Sequence, residues 1–294
     1  MTALLAEAPV GRRVGHVEVI AGLPAADQLS SDHVVAGLPA ISLADLGERG
    51  ALLTRVDRKY VVPRTQLTRF LTELSEQARA AGQRIPRVLA IAARREFGYE
   101  SLYFDTPGLT SYLQAARRRP RRFKVRTRTY VDSGQAFLEV KTRDGRRRTV
   151  KTRMDVPDTT RWGRELDPLA QSFVAGHLDR TVAHPDEVSW HLRPTLWTRY
   201  RRTTLFLPDD GARVTIDLEL RAWSTTGATL VVPAVAVVET KTEGRACMAD
   251  RALWRLGIRP VRLSKYGTGL AALNPDLPAH KWQPALRRLA VEIH

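Results

Sequence analysis

Basic and acidic side chains alternate with apolar ones in several short segments of this sequence. On an extended strand, Arg126 and Arg128 would share one face, as would Glu139 and Lys141 on the next strand and Lys151 on a third. Cations that recur on successive strands favour binding of a long polyanion. Carboxylates among such cations are suited to Mg²⁺ or Mn²⁺, which prefer oxygen ligands. The pattern therefore predicts a phosphate-binding surface with a divalent metal.

The same alternation continues in later segments, so the predicted charged face extends over most of the strands. Glu239 and Lys241 repeat the spacing of Glu139 and Lys141, which suggests two similar halves of one antiparallel sheet that face each other. If the sheet closes into a barrel, these side chains line its bore. The predicted cations are Lys59, Arg126, Arg128, Lys141, Lys151, Arg202, Arg213, Lys241, Arg262 and Lys265. The carboxylates beside them are Glu139, Asp217, Glu219 and Glu239.

Other interpretations of the same residues stay open at this point. The charged face is also compatible with a solvated sheet surface held by cross-strand salt bridges. The basic run 117–122 is compatible with nucleic-acid binding, although such runs are more often solvated loops, so a nucleic-acid partner is not favoured. Tyr200 is equally compatible with core packing. Ser264 lacks the histidine and aspartate pattern of an activated nucleophile.

The overall charge favours anionic partners. The 294 residues include 47 Lys and Arg against 31 Asp and Glu, a formal net charge of +16. The single cysteine, Cys247, excludes an intrachain disulfide and is typical of a reducing compartment. The sequence has neither a secretory signal pattern nor an apolar run of roughly 20 residues that could span a membrane. We therefore expect a soluble, cytoplasmic protein.

The periodicity divides the chain into three parts. Residues 1–40 have no sustained periodicity and predict a loosely ordered N-terminal arm. Residues 41–272 predict the main domain, in which strands alternate with helices and a helical insertion occupies about 161–193. The segment PVRLSKYGTG at 260–269 predicts a last strand. Residues 273–294 predict a C-terminal tail, either a terminal helix or a mobile extension.

Nine short motifs then occur in a fixed order. They are Asp57-Arg-Lys-Tyr60, Tyr103-Phe-Asp105, Arg126-Thr-Arg128, Leu138-Glu-Val-Lys141, Val150-Lys151-x-Arg153, Arg199-Tyr200-x-Arg202, Arg213-x-x-x-Asp217, Glu239-x-Lys241 and Ser264-Lys265-Tyr266. Each motif alone is weak, but the ordered set resembles the VTC domain. That domain is the polyphosphate polymerase domain of the vacuolar transporter chaperone complex, a triphosphate tunnel metalloenzyme related to CYTH domains. The resemblance covers about residues 45–270.

The resemblance implies an α+β fold, with an antiparallel β-barrel tunnel and helices packed on the outside. It implies that Glu239 holds Mn²⁺ or Mg²⁺, and we expect Glu139 or Glu219 to assist. The residues expected to act on the triphosphate are Lys59, Arg126, Arg128, Arg202 and Lys241. The residues expected to bind or guide the substrate chain are Lys141, Lys151, Tyr200, Arg213, Arg262, Ser264 and Lys265.

The implied activity is transfer of the γ-phosphate of ATP to a growing inorganic polyphosphate chain. The alternatives are a metal-dependent tripolyphosphatase or nucleoside triphosphatase of the same fold, and a non-catalytic polyphosphate or nucleic-acid binder. Eukaryotic members of the family carry an SPX domain and membrane helices, and this sequence shows neither. We therefore expect any membrane protein that acts with this chain to be a separate partner.

Overall fold

The computed structural model describes residues 32–49, 56–144, 146, 148–156, 165–178, 191–289 and 292–293. The helices are α1 (32–36), α2 (Leu43–Arg49), α3 (Arg64–Ala80), α4 (Thr110–Ala116), α5 (Pro168–Leu178), α6 (Met248–Arg255), α7 (Lys265–Leu273) and α8 (Gln283–Leu289). The strands are β1 (Ala40–Ile41), β2 (Val56–Pro63), β3 (Arg87–Leu89), β4 (Glu96–Asp105), β5 (Arg122–Tyr130), β6 (Ala136–Arg143), β7 (Thr149–Val156), β8 (Arg193–Leu207), β9 (Ala212–Ser224), β10 (Thr229–Val232), β11 (Val235–Thr242) and β12 (Glu292–Ile293).

The twelve strands form one sheet. Its main path runs β12-β10-β9-β8-β4-β5-β6-β7, and β11 joins β9 to β2 as a branch. Every described strand pair is antiparallel except the short pair β1 and β3. The predicted α+β class with an antiparallel sheet is therefore confirmed.

Strand β5 shows how the sequence determines the two faces of the sheet. Phe123 and Val125 are almost fully buried on one face, whereas Lys124 and Arg126 point to the other. This alternation lets one strand contribute both to an apolar core and to a charged surface. Lys59 of β2 and Lys124 of β5 are close enough for their charges to interact although these strands do not pair, so the sheet curls around its charged surface.

Helices cover much of the convex face. Leu67, Phe70, Leu71 and Leu74 recur at helical spacing along α3 and are buried in one core cluster with residues of β2, β9, β11 and α6. Helix α5 covers the other half and buries Val174 against β5 and β6. Helices α3 and α5 therefore pack against the two halves of the sheet on the face opposite the charged side chains.

Two further helices lie on the concave face. Tyr266 and Leu270 of α7 pack with concave-face residues such as Val61 and Val237. Trp282, next to α8, belongs to the same apolar cluster and is 1% exposed. These helices fill one part of the concave face with apolar side chains, so the charged residues occupy the remaining space.

The curled sheet is not closed by hydrogen bonds between its described strands. Strand β2 pairs only with β11, and β7 pairs only with β6. The segment that follows α6 borders the β2 edge instead, where the Val261 amide donates to the Lys59 carbonyl at 2.7 Å. Ser264 of the same segment accepts a hydrogen bond from Lys124 of β5 at 2.7 Å. This segment thereby links both sides of the concave face.

The structure also differs from the predicted organisation near the C-terminus. The stretch 260–269 was predicted as a strand, but the helix α7 begins at Lys265. The Ser264 side chain accepts from the Gly267 amide, which is an N-cap contact that starts the helix. Most of the predicted N-terminal arm and much of the insertion at 161–193 lie outside the described residues. No helix in the described residues is long and apolar enough to cross a membrane.

Candidate functional site

Three buried carboxylates organise the charged part of the concave face. The first, Glu239 of β11, contacts Lys59 of β2 at 3.3 Å and Lys241 of its own strand at 3.2 Å. Burial alone would raise the pKa of Glu239, but the lysine charges hold it well below its usual value. Glu239 is therefore ionised, and the partners described for it in hydrogen bonds and ion pairs are lysines.

Glu139 of β6 has a different partner set. Arg126 donates to its Oε2 atom through Nε at 2.7 Å and Nη2 at 2.5 Å, and Lys151 reaches Oε1 at 2.5 Å. Although burial would raise the pKa of Glu139, Arg126, Arg128 and Lys151 lower it to about 2. A guanidinium held at two donor atoms is geometrically fixed, so Glu139 orients Arg126.

The third carboxylate, Asp217 of β9, is 1% exposed. Arg202 donates to both of its oxygens at 2.5 and 2.8 Å, and the Lys265 ammonium contacts Oδ2. The aromatic ring of Tyr200 lies against both cations. Its centroid is 4.3 Å from Lys265 Nζ and 5.1 Å from Arg202 Cζ. Tyr200 is itself 1% exposed, so its buried ring packs against these cations and restricts their positions.

A cavity of about 1010 Å³ opens next to these groups. Lys59, Lys141, Arg262 and Ser264, all predicted site residues, line it together with Lys124. Burial lowers the pKa of Lys124 well below the ordinary lysine value, and the neighbouring charges of Lys59, Lys141, Arg126 and Lys281 lower it further. Cations crowded in this way are stabilised by a bound polyanion.

Arg128 supplies a second sign that an anionic ligand belongs here. Its Nη2 atom donates to the Tyr200 hydroxyl at 3.2 Å. Its Nε atom is buried and has no hydrogen-bond partner in the part of the chain that the structure describes. Buried donors are normally satisfied, so this guanidinium keeps hydrogen-bonding capacity that the described protein groups do not use.

Two predicted residues have described contacts with residues outside this centre. Arg213 shares the Asp217 face of β9 but donates to the Leu46 carbonyl of α2 at 3.0 Å. Glu219 lies in a β-bulge with a φ of 53°, and its charge acts on Arg201, a half-exposed residue that bonds Glu96. The bulge breaks the strict alternation that placed Glu219 on the Asp217 face, so it does not join Glu139 and Glu239.

Three residues of the site were not predicted from the sequence to have a role there. Lys124 lies on the Arg126 face of β5, so the alternation alone was sufficient to identify it. Asp217 was assigned to the charged face but given no role, although it orients Arg202 and Lys265. Lys281 lines the cavity from the segment predicted as a tail. No pattern in the sequence connects Lys281 with the strands.

Of the three carboxylates, Glu239 best fits a metal ion that binds together with substrate phosphates. Among the described residues, no group of three or more His, Cys, Asp or Glu side chains could enclose an ion. Glu239 contacts lysines that can exchange, whereas Glu139 is held by an arginine fork. A Mg²⁺ ion commonly binds one or two protein carboxylates together with substrate phosphates. Glu239 is therefore the protein ligand that fits such an ion.

Comparison with known proteins agrees with this arrangement. The family model described as VTC domain matches residues 54–274, which include the three carboxylates and most of the cavity. The chain belongs to the VTC domain family. Membership and the cationic cavity together support an enzyme that acts on polyphosphate or triphosphate substrates. A search of the curated proteins finds no significant match.

Two solved structures are distantly similar to this VTC domain. A putative adenylyl cyclase from Hippeastrum, described as having a dominant triphosphatase activity, is 12% identical with a TM-score of 0.46. The alignment covers 75% of this chain and 97% of that one. A putative adenylate cyclase from Vibrio parahaemolyticus is 16% identical with a TM-score of 0.36, covering 75% and 86% of the two chains. Similarities of this size do not define the chemistry of the site.

Proposed function

We propose that this VTC domain is a polyphosphate polymerase that transfers the γ-phosphate of ATP to the end of an inorganic polyphosphate chain. The observation that supports it most directly is that each of the three site carboxylates forms ion pairs with two cations. The pKa values of Glu239, Glu139 and Asp217 are all held below the ordinary range by neighbouring cations. Carboxylates in this state are weak proton acceptors, so none of them is suited to activate water as a general base.

The proposed reaction needs no such base. The attacking atom is a terminal phosphate oxygen of the acceptor chain, which is already anionic near neutral pH. It forms a bond to the γ-phosphorus of ATP while the bond from that phosphorus to the β,γ-bridging oxygen breaks, and ADP leaves. The transition state then depends on in-line placement and on neutralising charge on the phosphoryl oxygens.

The chain's own residues would supply both requirements. Arg126, oriented by Glu139, and Arg128, with its unpartnered Nε, would donate to the triphosphate. Arg202 and Lys265 are oriented by Asp217 for the same purpose. Glu239 would hold a Mg²⁺ or Mn²⁺ ion, which would neutralise further charge on the phosphates.

The dimensions of the cavity favour a polymer as the second substrate. A volume of about 1010 Å³ is at the upper end of the range for small-molecule sites. Its lining continues from Lys59 and Lys124 to exposed basic residues at the surface, which gives room for phosphates beyond one triphosphate. ATP and polyphosphate are accordingly the proposed partners. A membrane protein acting in trans remains part of this proposal.

The test is an assay that measures three products at once. Purified protein is incubated with ATP and either Mn²⁺ or Mg²⁺, and polyphosphate, ADP and free phosphate are quantified. Polyphosphate and ADP formed together, and lost in Glu239→Ala, are the expected result. Free phosphate without polymer would instead establish a triphosphatase. No turnover with either metal would leave a binding protein and overturn the catalytic roles.

A further inference from the structure

The C-terminal segment is built into the cavity although the family match ends at residue 274. Trp282 lies directly on the backbone of α7, and a Cβ added to Gly267 would be 2.3 Å from its ring. The ring also packs beside Tyr112 of α4, with centroids 5.2 Å apart. The buried indole therefore fixes the position of the residue that precedes it, Lys281.

Lys281 extends to the cavity from this anchor. Its ammonium donates to the Ala115 carbonyl at the end of α4 at 2.6 Å and lies 5.3 Å from the Trp282 ring centroid. Both contacts orient the side chain without neutralising it. Lys281 forms no salt bridge with a carboxylate in the described residues, and it lines the cavity.

Four arginines surround the same end of the cavity: Arg118, Arg122, Arg143 and Arg262. Burial and the charges of these arginines lower the pKa of Lys281 to about 8. A half-buried lysine among like charges is unfavourable unless an anion is present. Arg118 and Arg262 are exposed, so this end of the cavity is open to an incoming chain.

We propose that Lys281 and the surrounding arginines form a mouth subsite that binds the polyphosphate chain beyond the phosphates held by the inner cations. The ligand class is a linear inorganic phosphate polymer, because the basic lining of the cavity continues from Lys59 through Lys124 to this mouth. The proposal rests on the proposed function and adds a chain-binding role for a segment outside the matched domain.

The experiment compares binding of two probes, a long polyphosphate of defined length and inorganic tripolyphosphate. Lys281→Gln should weaken binding of the long chain about tenfold and leave tripolyphosphate binding unchanged. The slope of log affinity against log salt concentration should fall by about one for the long chain, as for loss of one phosphate contact. Lys281→Arg should retain most of the affinity because it keeps the charge.

Two controls keep this test decisive. Arg287→Gln removes a charge from the exposed side of α8. It should change neither the affinity for long polyphosphate nor the affinity for tripolyphosphate. Thermal unfolding of each variant checks the fold, and Arg262→Gln tests the same mouth if Lys281→Gln does not fold. Equal long-chain binding by Lys281→Gln and wild type would overturn the subsite, as would an equal loss for both probes. A wild-type protein that binds neither probe would overturn the proposed function itself.

Discussion

Two strands of the sheet carry the same pattern, Glu-x-Lys-Thr, but their glutamates have different surroundings. Glu139 on β6 is held by the guanidinium of Arg126 and by Lys151, whereas Glu239 on β11 is held by the lysines Lys59 and Lys241. The difference comes from the neighbouring strands. Arg126 lies opposite Glu139 in the register, and Lys59 lies opposite Glu239.

The comparison shows that a repeated motif does not imply a repeated role. An arginine fork binds a carboxylate with fixed geometry, while an ammonium group is a point charge that other anions or cations can displace. Glu139 therefore acts as a positioning residue for Arg126. Glu239 remains available to a metal that enters with the nucleotide. The following predictions test this distinction.

The largest effect should come from removing the exchangeable carboxylate. Glu239→Ala should lower polyphosphate synthesis about 100-fold, because the protein ligand of the metal–nucleotide complex is lost. Tripolyphosphate binding without metal should remain within a few-fold of wild type, since the cations are intact. Turnover and metal-free binding, measured on the same preparation, check this. A variant that keeps wild-type turnover would remove Glu239 from the reaction.

The fixed carboxylate should instead matter most for stability. Glu139→Gln should lower the free energy of unfolding by about 2 kcal/mol, because the half-buried Arg126 loses its charged partner. Urea unfolding at neutral pH measures this difference. Synthesis should fall about tenfold, less than in Glu239→Ala, as Arg126 loses its orientation. If Glu139→Gln abolished activity without destabilising the fold, the two glutamates would have the same role.

Acid should weaken the Glu139 contribution within a defined pH range. Its pKa is depressed from 4.5 to about 2, so the ionised carboxylate stabilises the fold fully above about pH 5. This stabilisation is lost as the pH falls toward 2, because the unfolded state takes up a proton at this carboxyl in that range and the folded state does not. The stability difference between wild type and Glu139→Gln should therefore narrow between pH 5 and pH 2. A constant difference across this range would contradict the assigned pKa.

The smallest effect concerns the lysine of the second motif. Burial, with a smaller contribution from the charge of Arg202, lowers the pKa of Lys241 to about 8 against the opposing charge of Glu239. A bound polyanion favours the protonated amine, so polyphosphate binding at pH 8 should take up roughly half a proton at Lys241. Calorimetry in two buffers of different ionisation enthalpy measures this uptake. Lys241→Met should take up fewer protons than wild type when polyphosphate binds. Equal proton uptake by the two proteins would argue against a lowered pKa of Lys241.

Much of this arrangement follows from alternation along the strands. The charged faces of β5, β6 and β11 are as predicted, because each buried apolar residue fixes the direction of its neighbours. Alternation fails where the backbone departs from a regular strand. Ser264 starts a helix by accepting a hydrogen bond from the Gly267 amide. Serine is a preferred N-cap residue, so the sequence alone could have indicated this helix start. The position of Lys281 was not predictable, because it depends on the packing of Trp282 against a distant helix.

The bulge at Glu219 has a consequence for insertions and deletions. Leu218 packs in the convex core and Leu220 in the concave one, although they are two residues apart on β9. The extra residue between them resets the phase of the strand. Substituting Glu219 by another residue that tolerates a positive φ would preserve this phase. Deleting it would reverse the side-chain directions on one side of the bulge. Either Asp217 would then point into the apolar core or Leu220 would point to the opposite face. The length of β9 is therefore more strictly constrained than the identity of the residue at its bulge.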